Sequence, residues 1–470
     1  MDFKEAQDQL HRLQAEEDHR TIEFLITRLS TQAAVLDLSN KFLFEDAVRV
    51  LVREVGKHYA DRNTLRKIVL QNTMLEEDRL NEVLRGLLAV KRPMGLTWLD
   101  IGNNRIELKA ESGELLGRLL SKRSNPKPKT LVLQGNLVKE ASFITALFIS
   151  AGTLTELNLY DTRLSPLALA ALGEALSLNR RILHLDLGYN ASAFTTKAIL
   201  TTFGMGISLN HHLEWLSLCG NTPLHKPKLL TALCSGLQCS KSLEYCSLGG
   251  LGLGDRGTAL LTRYLLPAVP ICHLDLHNNS LASKGLARLL RSLPVHITAL
   301  DLSYNQIKEE SLLTLVADLL LRTRSLRLLN ISHTIEIEEV SYKAKERLAQ
   351  ALKENDSLTE FYCEGAKIGG DPDDFCEVLG AAIGERRLSL TFKISAVDCF
   401  KGSNQLPSYG ETSSSQVKSL ELPQEPRPPQ VNSTLQTERR NFEAGSRKES
   451  LSQTPREYCF AGSEGEASNI

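Results

Sequence analysis

Ile271-Cys-His-Leu-Asp-Leu-His-Asn-Asn-Ser-Leu281 and Ile297-Thr-Ala-Leu-Asp-Leu-Ser-Tyr-Asn-Gln-Ile307 are two copies of one frame. Apolar residues fill its first, fourth, sixth and eleventh places, and asparagine fills the ninth. The central Leu-x-Leu alternates with polar neighbours, the period of a strand buried on one face. The asparagine amide is placed to hydrogen-bond backbone groups of the tight turn behind the strand. Unpaired peptide groups there would be costly.

Working outward, the frame recurs. Leu96, Leu99, Ile101, Asn104 and Ile106 carry it, as do Leu154, Leu157, Leu159, Thr162 and Leu164. Weaker copies start at Leu65, Pro128, Ile182, Leu213, Leu243, Leu326 and Leu358, and a degenerate one surrounds Leu36 and Leu38. The fourth place then falls at 36, 68, 99, 131, 157, 185, 216, 246, 274, 300, 329 and 361, a spacing of 26–32 residues. Turn asparagines stand at 104, 136, 190, 221, 279 and 305.

A helical segment follows each strand. From Leu281 to Leu293, leucines 286, 289, 290 and 293 form one stripe. Leu164 to Leu176 does the same, with Ser165 placed as N-cap and Pro166 at the first helical position. One such unit cannot bury both its faces, whereas stacked units share a continuous core. Strands are narrower than helices, so the stack must curve. The expected architecture is an α/β horseshoe solenoid of about twelve units, with parallel strands on the concave face and helices on the convex face.

The stretches LGDRGTALLTRYLLPAVPICHLDLHNNSL (253–281) and LSPLALAALGEALSLNRRILHLDLGYN (164–190) resemble leucine-rich repeats of the ribonuclease-inhibitor type. The likeness covers roughly residues 30–395. That family includes ribonuclease inhibitor, the Ran GTPase-activating proteins and the sensor regions of nucleotide-binding innate-immune receptors. The resemblance implies the fold; an extended rigid solenoid without a catalytic constellation points to a non-catalytic scaffold or adaptor that holds a protein partner on its concave face. Through the Ran GTPase-activating members the resemblance offers GTPase regulation as an alternative.

Three segments are expected: an N-terminal helical cap at 1–30, the solenoid at 31–395, and a disordered tail at 396–470. Leu10, Leu13, Phe24, Leu25 and Leu29 supply the cap's apolar side, and Leu388–Ile394 reads as a last edge strand. The tail is rich in Ser, Pro, Glu and Gln and lacks periodicity, so it cannot bury enough apolar area to offset ordering entropy.

Composition narrows the function. The 470 residues carry a net charge of -1, so no global field draws the chain to nucleic acid or to an anionic membrane. The charged N-terminus lacks an apolar h-region and no run of 18 apolar residues occurs, which predicts a cytoplasmic protein without a membrane span. The nine cysteines form no C-x-x-C pair and no zinc spacing, so reduced thiols and no metal are expected. No G-x-S-x-G, H-E-x-x-H or G-K-[ST] motif is present. Gly252-Leu-Gly254-Asp-Arg-Gly257 imitates a dinucleotide fingerprint, yet each part is accounted for by repeat phase. No catalytic residue, cofactor or metal is therefore assigned.

The repeat phase does assign an exposed face. Side chains alternate across a strand, so the third, fifth and seventh places point out of the concave sheet. The third column holds Trp98, Glu156, His184, Trp215, Tyr245 and His273. The fifth holds Asp100, Asp186, Asp275, Asp301 and Tyr362, and the seventh holds Tyr160 and His277. Both tryptophans of the chain lie here although the core pattern does not require them. Exposed aromatics beside charge are the usual hot-spot ingredients. Carboxylates outnumber bases, which favours a basic partner surface or peptide. The plainer alternative is a solvated sheet on which Trp98 and Trp215 simply pack on their strand neighbours.

Overall fold

All twelve fourth-place residues lie in strands, and each pairs with the next in parallel register: Leu36 with Ile68, Ile68 with Leu99, and so on to Leu329 with Phe361. The computed structural model describes residues 3–59, 64–90, 95–121, 129–385 and 390–397, with side chains from 13 onward, all within one unit, Met1–Ser419. The expected tail lies outside the described residues apart from its first two positions.

The sheet strands follow chain order: β1 Val35–Asp37, β2 Lys67–Val69, β3 Trp98–Asp100, β4 Lys129–Val132, β5 Leu154–Asn158, β6 His184–Asp186, β7 Trp215–Ser217, β8 Tyr245–Ser247, β9 His273–Asp275, β10 Ala299–Asp301 and β11 Leu328–Asn330. Two-residue β12 (Glu336–Ile337) pairs the far half of β13 (Glu360–Ile368), and β14 (Thr391–Val397) closes the sheet. This is an α/β leucine-rich-repeat solenoid. The last strand adds a thirteenth unit in phase, Phe361 pairing with Phe392. It begins and ends three residues later than the expected 388–394.

Helices alternate with the strands and pack on one another in sequence. Neighbouring strands stand about 4.8 Å apart, whereas packed helices need about 8–10 Å. The stack therefore bends with the sheet inside. Leucines of the frame are buried to within a few per cent throughout, among them Leu157, Leu185, Leu274 and Leu300. Each contributes about 1.5–3 kcal/mol relative to exposure.

The turn asparagines tie one repeat to the previous one. Asn190 Nδ2 donates to Leu159 O at 2.7 Å, while its Oδ1 accepts from the Thr162 and Leu164 amides at 3.1 and 2.9 Å. Asn305 does the same for the preceding repeat, accepting from the Asn279 and Leu281 amides at 2.9 and 3.1 Å. These side chains are buried, so each bond replaces one that water cannot supply. Thr73, Thr162 and Thr334 stand in for asparagine and donate to a carbonyl of the turn or of the previous repeat.

The first helix, α1 (Phe3–Ser30), packs on α2 (Glu45–Tyr59) with Leu25 and Leu29 fully buried. Asp18 reaches across to accept from the Ala47 amide at 3.3 Å, at the start of α2. Leu13 departs from its expected apolar role: it is 52% exposed, because the packed stripe begins further along the helix. The side chain of Leu10 lies outside the described residues. At the head of β4, Lys129 is buried and pairs with Leu154, the first-place residue of the next repeat, through a register shift. Its Nζ donates to Leu119 O at 3.2 Å, and burial lowers its pKa to about 8.

Candidate interaction face

Parallel in-register strands put like places side by side, so each column of the frame becomes a continuous row across the sheet. The third-place row runs Lys67, Trp98, Thr130, Glu156, His184, Trp215, Tyr245 and His273. Its rings touch in sequence. His184 meets Trp215 edge-on at 6.3 Å between centroids, and Trp215 stacks on Tyr245 at 4.8 Å with 14° between planes. Tyr245 continues to His273 at 6.2 Å. Four consecutive repeats thus present one aromatic shelf. Trp98 lies apart from it, with the Lys67 ammonium 4.4 Å over its ring and no acceptor for its buried Nε1 among the described residues.

Polar contacts hold the row's flanks. Glu156 accepts from Thr130 Oγ1 at 2.8 Å and faces His184 Nδ1 at 3.4 Å; the His184 contact leads in holding its pKa down. His273 is flanked by Cys272 Sγ at 3.3 Å and Thr298 Oγ1 at 3.4 Å, and burial lowers its pKa. A neutral imidazole suits the shelf, since it adds ring surface without charge.

The fifth-place row lies beside the shelf and carries the acids. Asp275 is enclosed by its own network: Ser247 Oγ donates at 2.6 Å, His277 Nδ1 lies at 2.8 Å and the His277 amide donates at 3.0 Å. Burial pushes its pKa up, but these donors outweigh it and the net shift is downward. Asp301, one strand on, accepts from Ser303 Oγ at 2.6 Å and Asn330 Nδ2 at 2.9 Å. Asp100 and Asp186 are less well supplied. Burial raises both pKa values despite the Gly102 amide at 2.8 Å and the Lys67 charge beside Asp100, and the Gly188 amide at 3.0 Å and the Ser217 hydroxyl beside Asp186.

The remaining residues sit outside this cluster. Tyr160 contacts Tyr189 at 5.0 Å, and burial raises its pKa to about 12. Tyr362 lies towards the C-terminal end, donating to Glu360 at 3.0 Å, its pKa likewise raised to about 12 chiefly by burial. All twelve assigned residues are partly exposed, while the leucines between them are buried. The structure unites His184, Trp215, Tyr245 and His273 with Asp186, Asp275 and Asp301. It leaves Trp98 with Asp100, and Tyr362, at separate places along the stack.

The dinucleotide imitation is absorbed by the fold. Gly252 and Gly254 take left-handed turn conformations, and Asp255 accepts from the Ala282 and Gly285 amides at 3.2 and 2.8 Å. The acid thus serves the start of the next repeat's helix. Among the described residues no group of three or more His, Cys, Asp or Glu could hold a metal ion.

One set of exposed residues escapes a reading based on leucines. The eighth place of the frame has positive φ in twelve successive turns. Nine are Asn, Asp or Gly, which tolerate that region; the others are Tyr189, Tyr304 and His333, with φ of 56°, 58° and 55°. A bulky side chain there costs about 1–2 kcal/mol. The signal was present in the eighth column, as the break in a run of turn-formers.

No family model matches the chain, and no curated protein does. Solved structures similar to it include a chain of the Rad7–Elc1 complex in yeast, at 14% identity over 83% of this chain and 96% of that one, TM-score 0.47. The leucine-rich repeat-containing protein LegL7 from Legionella pneumophila is 19% identical over 74% and 87%, TM-score 0.40. An internalin, inlF, from Listeria monocytogenes is 16% identical over 76% and 91%, TM-score 0.39. Likeness at this level transfers none of those proteins' partners or roles to this chain.

Proposed function

We propose that this protein is a non-catalytic scaffold or adaptor that holds a protein partner on the inner face of its sheet, and that the partner's surface is basic. The observation that carries the reading is the aromatic shelf, Trp215 stacked on Tyr245 with His184 and His273 at its ends, lying beside the acids Asp186, Asp275 and Asp301. Rigid aromatics supply contact area at little entropic cost, and the acid row selects charge and register. Glu156 and Tyr160 extend the face on one side; Trp98 with Asp100, and Tyr362, offer outlying contacts.

A cytoplasmic setting is consistent with seven free cysteines among the described residues. No described helix is long and apolar enough to cross a membrane.

The test is affinity capture compared between the native chain and Trp215→Ala/Tyr245→Ala/Asp275→Asn, with bound proteins identified by mass spectrometry. Loss of specific partners with unchanged circular dichroism supports the reading. An identical set of captured proteins overturns it.

A further inference from the structure

Away from the aromatic shelf, at the turns that follow β10 and β11, Tyr304 and His333 stack at 4.7 Å with 23° between their planes. Both occupy the left-handed turn place that Asn278 fills in the repeat before and Gly365 in the repeat after. The pair is arranged by its neighbours. A side chain at Gly365 would put Cβ 2.2 Å from the His333 ring, so the imidazole lies directly on that bare backbone. Tyr304 therefore has one face covered by His333. Among the described residues no ring or cation covers the other face, and the residue is 58% exposed.

The rings line a cleft of about 330 Å³ together with Asn278, Gln306, Glu336 and Lys367. That volume, at the bottom of the range for small-molecule pockets, has room for one large side chain. Its walls offer a π face, two amides, a carboxylate and, at one side, the Lys367 ammonium. Lys367 Nζ lies 3.8 Å from Glu336, a long contact that leaves the carboxylate able to accept more. Asp275 ends the strand before Asn278, and Asp301 the strand before Tyr304.

We propose that the Tyr304–His333 turn edge is a subsite for an arginine side chain of a protein partner. A planar guanidinium can lie flat on the open tyrosine face while its edge donors reach the Asn278 and Gln306 oxygens and Glu336. A lysine ammonium cannot stack and fills less of the cleft. An anion would meet the electron-rich ring face and the Glu336 carboxylate. The unfavourable backbone conformation of a tyrosine at this place, where nine of the twelve turns carry Asn, Asp or Gly, is the expected mark of a residue kept for contact rather than for folding. The subsite lies off the sheet face and stands independently of the proposal made for that face.

The decisive variant is Tyr304→Asn, which gives the turn the residue its neighbour Asn278 already uses. The full-length chain, labelled in its histidine rings, is titrated with N-acetylarginine amide while the His333 resonances are followed by NMR. The expected result is a saturable shift at His333 in the native chain, at least tenfold weaker binding of N-acetyllysine amide, and at least tenfold weaker arginine binding by Tyr304→Asn. The melting temperature of that variant should be equal or higher. No shift at His333, equal affinity for the two amides, or full binding by Tyr304→Asn would overturn the proposal. A clear drop in melting temperature would also overturn it, because the ring would then be serving the fold.

Discussion

Trp215 and Tyr245 lie on neighbouring strands in direct register, their rings stacked at 4.8 Å. The contact follows from the parallel ladder, because adjacent strands repeat at about 4.8 Å, close to the preferred separation of stacked rings. Each ring thus braces the other and presents the remaining surface to a partner. The double-mutant cycle Trp215→Ala and Tyr245→Ala should give a coupling of about 0.5–1.5 kcal/mol in urea denaturation. Strictly additive losses would show that the rings do not support one another.

The buried asparagine row should be unforgiving. Asn305→Ala leaves the Asn279 and Leu281 amides without an acceptor and should lower stability by about 2–3 kcal/mol. Asn305→Thr should lose less, because Thr73, Thr162 and Thr334 fill the same column and donate to nearby turn carbonyls. Chemical denaturation of the two variants side by side checks the order; equal losses would contradict it.

His277 couples the acid row to pH. Its hydrogen bond to Asp275 raises the imidazole pKa against the opposing effect of burial. A base whose folded pKa is raised contributes stability fully below its unfolded value of about 6.5, and loses it as pH climbs through the folded value. Asp275, shifted downward, contributes above the ordinary carboxylate range and loses its share as pH falls through its folded value. The His277→Gln variant should therefore differ from the native chain more at pH 6 than at pH 8.5, by about 0.5 kcal/mol given the exposure of the imidazole. Thermal melts at the two pH values measure the difference, and a larger gap at pH 8.5 would reverse the assignment.

Glycines set the helix spacing on the outer side. A Cβ at Gly206, in the helix Lys197–Leu209, would fall 1.9 Å from Gly173 O in the helix Pro166–Leu178. Gly206→Ala must push the two helices apart and should cost about 1–3 kcal/mol. Gly380, within the helix Pro372–Gly384, has open space around the same position. Gly380→Ala should be stabilising by up to about 1 kcal/mol. Opposite signs in a denaturation experiment are the expected outcome; matching signs would mean that helix propensity outweighs the close approach.

The spacing of leucines determined the fold by itself. Twelve fourth-place residues, from Leu36 to Phe361, were legible as strand centres because a stacked repeat buries the same place every time, and burial needs no knowledge of distant contacts. The three columns that face outward were legible for the same reason. The sequence could not say which exposed residues act together, since neighbouring rows are joined only when strands 26–32 residues apart come into register. Tertiary structure therefore decided that Trp215 stacks on Tyr245 while Trp98 lies with Lys67, that Asp275 is satisfied by His277 and Ser247 while burial raises the pKa of Asp186, and that the ring of Tyr304, in a turn built for Asn or Gly, lies on His333. Local pattern fixes what each repeat buries; only the stacking of one repeat on the next fixes what the exposed side chains meet.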